Sequence, residues 1–132
     1  LAASYCLAAR QGGVLIGYLL AHGWQRAAPP ALGTMLEGSA QSEVLFIHDL
    51  TVSPASRGLR LGERLVERAF ALAVRDGLDS AELIAVEGAT DYWRRLGFAE
   101  GPGSERLSAK IAAYGSSALW MTRALNHGQA IS

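Results

Sequence analysis

The segment Arg57–Gly62 (Arg-Gly-Leu-Arg-Leu-Gly) combines two glycines and two arginines where a strand-like run gives way to a helix-like run. The first backbone N–H groups of a helix have no partner within the helix, and the helix dipole adds partial positive charge there. Such a junction suits a phosphate group. Gly58 and Gly62 let the backbone approach a ligand closely, and Arg57 and Arg60 can contact phosphate oxygens. The segment therefore predicts a phosphate-binding loop.

The simpler interpretation of the same segment is an ordinary strand-to-helix turn with solvated arginines. Two familiar nucleotide-binding loops are disfavoured by the residue pattern. The segment has no Gly-Lys-Ser/Thr, as a P-loop would, and its glycines are not spaced G-x-G-x-x-G. Any nucleotide bound here would need another kind of loop.

Hydrophobic periodicity predicts the elements that position this loop. The pattern favours helices over Leu61–Asp76 and Ala89–Leu96, and a long loop over Gly23–Ser42. Strands are predicted over Ser4–Arg10, Val14–His22, Val44–Val52, Ala81–Val86 and Leu119–Leu125. An antiparallel hairpin followed by alternating strands and helices indicates an α/β fold, which we expect to form one domain over residues 1–132.

Composition limits the classes of partner. The 132 residues suffice to bury a core, and 12 Lys and Arg balance 12 Asp and Glu. No net field therefore draws the chain to nucleic acid or to anionic lipid. No apolar run reaches the roughly 20 residues that cross a bilayer, and Cys6 is the sole cysteine. We expect a cytoplasmic protein with no nucleic-acid and no membrane partner.

Two motifs, in order and spacing, resemble the GNAT superfamily of N-acetyltransferases. Those enzymes carry [Arg/Gln]-x-x-Gly-x-[Gly/Ala] at the start of a helix, as Arg57–Gly62 does. Some thirty residues later they carry an aromatic pair, three residues and Gly-Phe, matched here by Tyr92–Phe98 (Tyr-Trp-Arg-Arg-Leu-Gly-Phe). The run Ile47–Pro54 is similar to the family's central strand, and Tyr114–Met121 to the closing strands of one bacterial subgroup. The likeness extends from Tyr5 to Leu125.

The resemblance implies a mixed central sheet flanked by helices, with two strands splayed into a V-shaped cleft for acetyl-CoA. Acetyl-CoA would act as a co-substrate, and no metal is expected. The residues implied to bind it are Leu50, Thr51, Val52, Arg57, Gly58, Leu59, Arg60, Leu61, Gly62, Tyr92 and Trp93. The family's first strand and the helices after it have no counterpart here. Because the chain also opens abruptly at Leu1 without Met, we expect an N-terminal portion to be missing.

Two positions depart from the family pattern. Arg60 stands where the loop motif usually has glycine, and it could add a charge contact to phosphate. Trp93 stands where some members have a tyrosine that acts as a general acid. An indole N–H donates a hydrogen bond but does not titrate usefully, so Trp93 cannot be that acid.

The implied reaction is direct attack of a neutral amine on the thioester, with a donor such as the Val52 N–H stabilising the oxyanion. Something must accept the amine's proton, and His48 and Asp49 are the candidates, with Asp49 favoured. Neighbours on a strand point to opposite faces, so we expect only one of them to meet the cleft. Tyr114 is the spare acid, with a phenol pKa near 10. Each of the three could instead be an ordinary packed or satisfied polar residue.

The acceptor would be a small-molecule amine or a peptide amine. The sequence does not decide between a monomer and a homodimer. The main alternative is a non-catalytic acyl-CoA-binding regulatory module on the same fold, because fold alone does not fix function. A third interpretation, an unrelated nucleotide-binding α/β domain, requires the match at Tyr92–Phe98 to be accidental.

Overall fold

Six strands form one mixed sheet in the computed structural model, which describes residues 4–29, 42–86, 88–101 and 105–125. The order across the sheet is β1-β2-β3-β4-β6-β5; β3 and β4 run parallel and the other neighbours antiparallel. The strands are β1 (Leu7–Gln11), β2 (Val14–Trp24), β3 (Val44–Val52), β4 (Ser80–Ala85), β5 (Ala99–Glu100) and β6 (Leu119–Ala124). The mixed α/β sheet predicted from the sequence is confirmed.

Three helices accompany the sheet: α1 (Leu61–Arg75), α2 (Thr90–Arg95) and α3 (Ser108–Ala112). A short 3-10 helix, Pro54–Leu59, joins β3 to α1. Helix α1 ends one residue before the predicted boundary, and Gly77 follows with φ of 86°, a left-handed conformation that favours glycine. Helix α3 was not predicted. Among the helices of the described residues, none is long and apolar enough to cross a membrane.

The predicted loop Gly23–Ser42 is shorter in the structure, because β2 continues through Trp24. Trp24 pairs with Val44 of β3, and its indole Nε1 donates to the carbonyl of Ala28 at 2.7 Å. Residues 30–41 of that loop lie outside the described residues.

Apolar side chains bury both faces of the sheet. The face that carries α1 and α2 holds the larger cluster, which includes Leu19, Ile47, Val66 and Trp93. The spacing of apolar residues on α1 turns one side of this helix onto the sheet, so its other side stays in solvent. A smaller cluster on the opposite face packs against α3 and contains Phe46, Leu107, Ile111 and Trp120.

Strands β3 and β4 separate after a short paired stretch. Their parallel ladder joins Leu45–Ile47 to Ala81–Leu83. Residues 49–52 of β3 pair with β2 on their other side but, in the part of the chain that the structure describes, not with β4. The sheet is therefore open between these strands, as the predicted V-shaped cleft requires, and the fork of the V lies at His48.

Candidate functional site

A pocket of about 470 Å³ lies where the free part of β3 meets the first turn of α1. It brings together residues that are far apart in sequence, from β3, from α1 and from α2. The lining consists of Leu50, Val52, Arg60, Leu61, Gly62, Glu63 and Tyr92. All of these except Glu63 were predicted from the sequence to bind a cofactor.

The start of α1 offers free backbone donors to this pocket. No side chain caps the helix, and the Arg64 N–H donates to the Arg60 carbonyl at 3.1 Å. The N–H groups of residues 61–63 therefore have no partner within the helix. Predicted residues Arg57, Gly58 and Leu59 belong to the preceding 3-10 helix. The first residues of α1 also line the pocket, and a helix start of this kind suits an anion.

Arg60 occupies the backbone conformation that explains why the family pattern has glycine there. Its φ of 56° and ψ of 32° are left-handed, which costs a residue with a side chain about 1 kcal/mol. Its guanidinium is held by Glu63, with Nε–Oε2 and Nη2–Oε1 distances of 2.8 Å each. Arg60 therefore has a protein partner before any phosphate arrives, although such an exposed pair is weak and exchangeable.

Tyr92 reaches from α2 across to Gly62. A Cβ placed on Gly62 would lie 2.6 Å from the Tyr92 hydroxyl, 3.3 Å from Leu50 and 3.4 Å from Val52, so no larger residue fits without displacing Tyr92. Burial, and then the Glu63 carboxylate, raise the pKa of Tyr92. The hydroxyl is thus a protonated donor at neutral pH, on the wall of the pocket.

Trp93 lies in the core instead of the pocket wall. It is 7% exposed, and its ring packs against Phe98 at a centroid distance of 5.5 Å. Consecutive residues on a helix point in different directions, so the turn that sends Tyr92 to the pocket sends Trp93 inward. Of the aromatic pair predicted to line the cofactor, the structure places Tyr92 there.

A β-bulge corrects the expectation that His48 and Asp49 point to opposite faces. Leu20 of β2 pairs with Asp49, but Ala21 pairs with Ile47, so His48 is an extra residue in β3. An extra residue interrupts the strict alternation of side chains. His48 and Asp49 therefore lie on the same face, the one opposite α1, while Leu50 returns to the core beneath α1.

Asp49 and His48 have different surroundings on that face. The Asp49 carboxylate accepts hydrogen bonds from the hydroxyls of Tyr18, at 3.1 Å, and Thr51, at 3.2 Å. The His48 ring instead packs edge-on against Phe46 and His22. Packing against these groups, and then the proximity of His22, lower the pKa of His48 from 6.5, although the residue itself stays exposed to solvent. Neither Tyr18 nor His22 was identified from the sequence, because only the pairing of β2 with β3 brings them here.

Tyr114, the predicted spare acid, follows α3 and is not among the described residues that line the pocket. Burial raises its pKa, so its hydroxyl stays protonated at neutral pH. The structure does not bring it together with Tyr92 and Gly62.

Comparison with solved structures finds the same fold in several acetyltransferases. N-acetylglutamate synthase from Neisseria gonorrhoeae, complexed with coenzyme A and N-acetyl-glutamate, matches with a TM-score of 0.64 at 18% identity. This match covers 93% of the present chain and 26% of the synthase. The PaiA N-acetyltransferase from Thermoplasma acidophilum, in complex with coenzyme A, matches with a TM-score of 0.64 at 13% identity, over 92% of this chain and 61% of that one.

GCN5 from Tetrahymena gives a TM-score of 0.65 at 13% identity, over 92% of this chain and 68% of that protein. The chain thus spans about a quarter of the synthase and under two thirds of PaiA. No curated protein sequence matches closely enough to count as a relative. At these identities the structural matches show the fold alone.

The sequence itself matches a family profile over residues 1–98, which is most of the chain. That profile is described as the acetyltransferase (GNAT) family. It spans the open pair of strands, the start of α1 and the aromatic pair of α2. This chain therefore belongs to the GNAT family of acetyltransferases.

Proposed function

We propose that this protein is an acetyl-CoA-dependent N-acetyltransferase that moves an acetyl group to a primary amine by direct attack in a ternary complex. The observation that carries the proposal is the uncapped start of α1, which opens onto a pocket beside the unpaired part of β3. Free amides for a pyrophosphate and free strand groups for a pantetheine arm lie side by side there.

Donor binding uses both kinds of backbone group. The amides at the start of α1 would hold the pyrophosphate, with the helix dipole adding to the attraction. The backbone of Leu50 and Val52, unpaired on the β4 side, can bond the amides of the pantetheine arm as a neighbouring strand would. The thioester would then approach the fork of the V.

The chemical step needs an oxyanion donor and little acid catalysis. A backbone N–H on the unpaired side of β3, close to the fork and left free by the pantetheine arm, would stabilise the tetrahedral oxyanion, a contact whose removal costs roughly 3–4 kcal/mol. A thiolate with a pKa near 8.5 can leave at neutral pH without a strong acid.

The amine would approach from the face opposite α1, where the bulge at His48 gathers two suitable groups. Asp49 presents a carboxylate that attracts an ammonium group, but two hydroxyl donors already engage it. His48 lies at the fork and is exposed to solvent, and its lowered pKa leaves it neutral at pH 7. We therefore assign proton acceptance to His48 and electrostatic attraction of the amine to Asp49. The acceptor would be a small-molecule amine or a peptide amine.

Acetyl-CoA should bind the protein and raise its melting temperature. Binding to the folded state alone stabilises it by about 2.7 kcal/mol when the ligand is present at a hundred times its dissociation constant. The measurement is thermal unfolding with and without millimolar acetyl-CoA, with ATP at the same concentration as the control. An unchanged melting temperature with acetyl-CoA, or an equal rise with ATP, would contradict the proposal.

A further inference from the structure

Leu20 of β2 exposes an apolar side chain on the face of the sheet opposite α1. Its neighbours Leu19 and Ala21 are buried in the larger core cluster, on the side of α1. Because successive side chains of a strand point to opposite faces, Leu20 lies on the other face, where it is 40% exposed. A single exposed leucine is common in folded proteins. What distinguishes Leu20 is the group beside it.

Asp49 lies directly opposite Leu20. The two residues are cross-strand partners in the ladder between β2 and β3. Partners of this kind share one face of the sheet, with Cβ atoms about 4.5–5.5 Å apart. Asp49 is exposed as well. An apolar side chain and a carboxylate therefore lie side by side in solvent, next to His48 at the fork of the V.

Two hydroxyl groups orient the Asp49 carboxylate. Tyr18 and Thr51, which are themselves cross-strand partners, both donate to Oδ2, at 3.1 and 3.2 Å. Neither hydroxyl uses the other oxygen, Oδ1. A carboxylate that is already held through one oxygen loses little further freedom when it binds an ammonium group through the other.

Two other carboxylates near β2 serve the turn that follows this strand. Glu43 accepts from the backbone N–H of Arg26 at 2.9 Å. Glu82 accepts from the backbone N–H of Ala27 at 3.0 and 3.2 Å. Both therefore lie toward the far end of β2, and Asp49 supplies the negative charge beside the fork. One carboxylate matches one ammonium group, and a second positive charge on the same ligand would meet an apolar side chain.

We propose that the acceptor is a primary amine that carries an apolar chain or ring and no second positive charge close by, and that Leu20 determines this specificity. The role of the amine as acceptor rests on the proposed function. The ammonium group pairs with Asp49, and the apolar part of the molecule covers Leu20. Contact with Leu20 removes apolar surface of both partners from water, which favours binding.

The test uses two amines of matched size, hexylamine and cadaverine, which have the same number of non-hydrogen atoms. Hexylamine ends in a methyl group, and cadaverine ends in a second ammonium group. Their dissociation constants would be measured by NMR titration of the backbone amides of β2 and β3. The proteins are the parent and the variants Leu20→Gln, Leu20→Met and Asp49→Asn. No acetylation is needed for this measurement.

We expect the parent to bind hexylamine more tightly than cadaverine by about fivefold or more, because the apolar end of hexylamine can cover Leu20. Leu20→Met keeps an apolar side chain of similar volume and should keep this preference. Leu20→Gln should reduce the preference to less than about twofold, because glutamine offers no apolar end to cover. Asp49→Asn should weaken the binding of both amines by a similar factor, since both use the same ammonium contact.

Three outcomes would overturn the inference. They are equal affinity of the parent for the two amines, an unchanged preference in Leu20→Gln, and the absence of any shift in the amides of β2 and β3 with either amine. The parent and Leu20→Met suffice for the comparison of the two amines if Leu20→Gln does not fold.

Thiol release from acetyl-CoA separates this inference from the proposed function. In the parent, kcat/KM should be higher for hexylamine than for cadaverine, and the difference should shrink in Leu20→Gln. Thiol release that is faster with cadaverine would leave the proposed function standing and overturn the inference. If no amine is acetylated although hexylamine binds beside Leu20 as expected, the proposed function fails while the preference of this surface for apolar amines holds.

Discussion

Leu59→Glu is expected to remove most acetyl-CoA binding while leaving the fold at least as stable as in the parent. Leu59 is 56% exposed and precedes the first turn of α1, so glutamate there disturbs little packing. Its charge would stand beside the amides proposed to hold pyrophosphate. The same charge near a helix start favours the folded state by about 0.3–1 kcal/mol. Affinity and stability should therefore change in opposite directions.

The matched control is Leu59→Gln, because glutamine has nearly the same shape as glutamate but carries no charge. Calorimetry with acetyl-CoA should show a dissociation constant at least tenfold larger for Leu59→Glu than for Leu59→Gln, which is a loss of about 1.4 kcal/mol in binding free energy. Gly62 is a poorer place for this test, because any side chain there displaces Tyr92. Equal affinity in the glutamate and glutamine variants would show that the pyrophosphate does not lie at this helix start.

His48→Gln is expected to lower kcat about a hundredfold or more and to leave the affinity for acetyl-CoA unchanged. Glutamine retains a polar side chain but cannot accept a proton at neutral pH, and general base catalysis typically contributes 10²–10⁴-fold. Asp49→Asn should act differently, because Asp49 is assigned to attract the amine. It should raise KM for the amine with a loss in kcat of less than about tenfold.

We would compare the two variants by steady-state kinetics with one amine. Calorimetry would measure their affinity for acetyl-CoA. The reverse pattern, a hundredfold loss in Asp49→Asn and a small loss in His48→Gln, would exchange the two roles. A small loss in both would mean that neither residue accepts the proton.

Periodicity and the resemblance to the GNAT superfamily predicted much of the arrangement at the pocket beside the start of α1. Helix α1 was placed to within one residue because its apolar residues recur along one side over 15 residues. The pocket residues from β3, α1 and Tyr92 were implied by the resemblance to the GNAT superfamily, whose two motifs occur here in the same order and spacing. The separation of β3 from β4 was also implied by the resemblance to the GNAT superfamily.

Other features of the site depend on pairing between distant residues, which a single sequence does not reveal. The bulge at His48 arises from the register of β3 against β2, and nothing in the run Val44–Val52 marks it. For the same reason, the partners of His48 and Asp49 on β2 were missed. The orientation of Trp93 depends on how α2 sits on the core. Helix α3 has five residues, too few for a periodic pattern to stand out.

The release of free thiol from acetyl-CoA in the presence of amines tests the central claim most directly. A panel of amino acids, polyamines, aminoglycosides and lysine-containing peptides would be assayed, with reactions lacking either amine or protein as controls. We predict that at least one amine accelerates thiol release and that mass spectrometry finds its N-acetylated product in equal amount. Leu59→Glu should lower both at least tenfold at limiting acetyl-CoA. Binding of acetyl-CoA without acetylation of any amine would contradict the account and would identify the protein as a non-catalytic acyl-CoA-binding module.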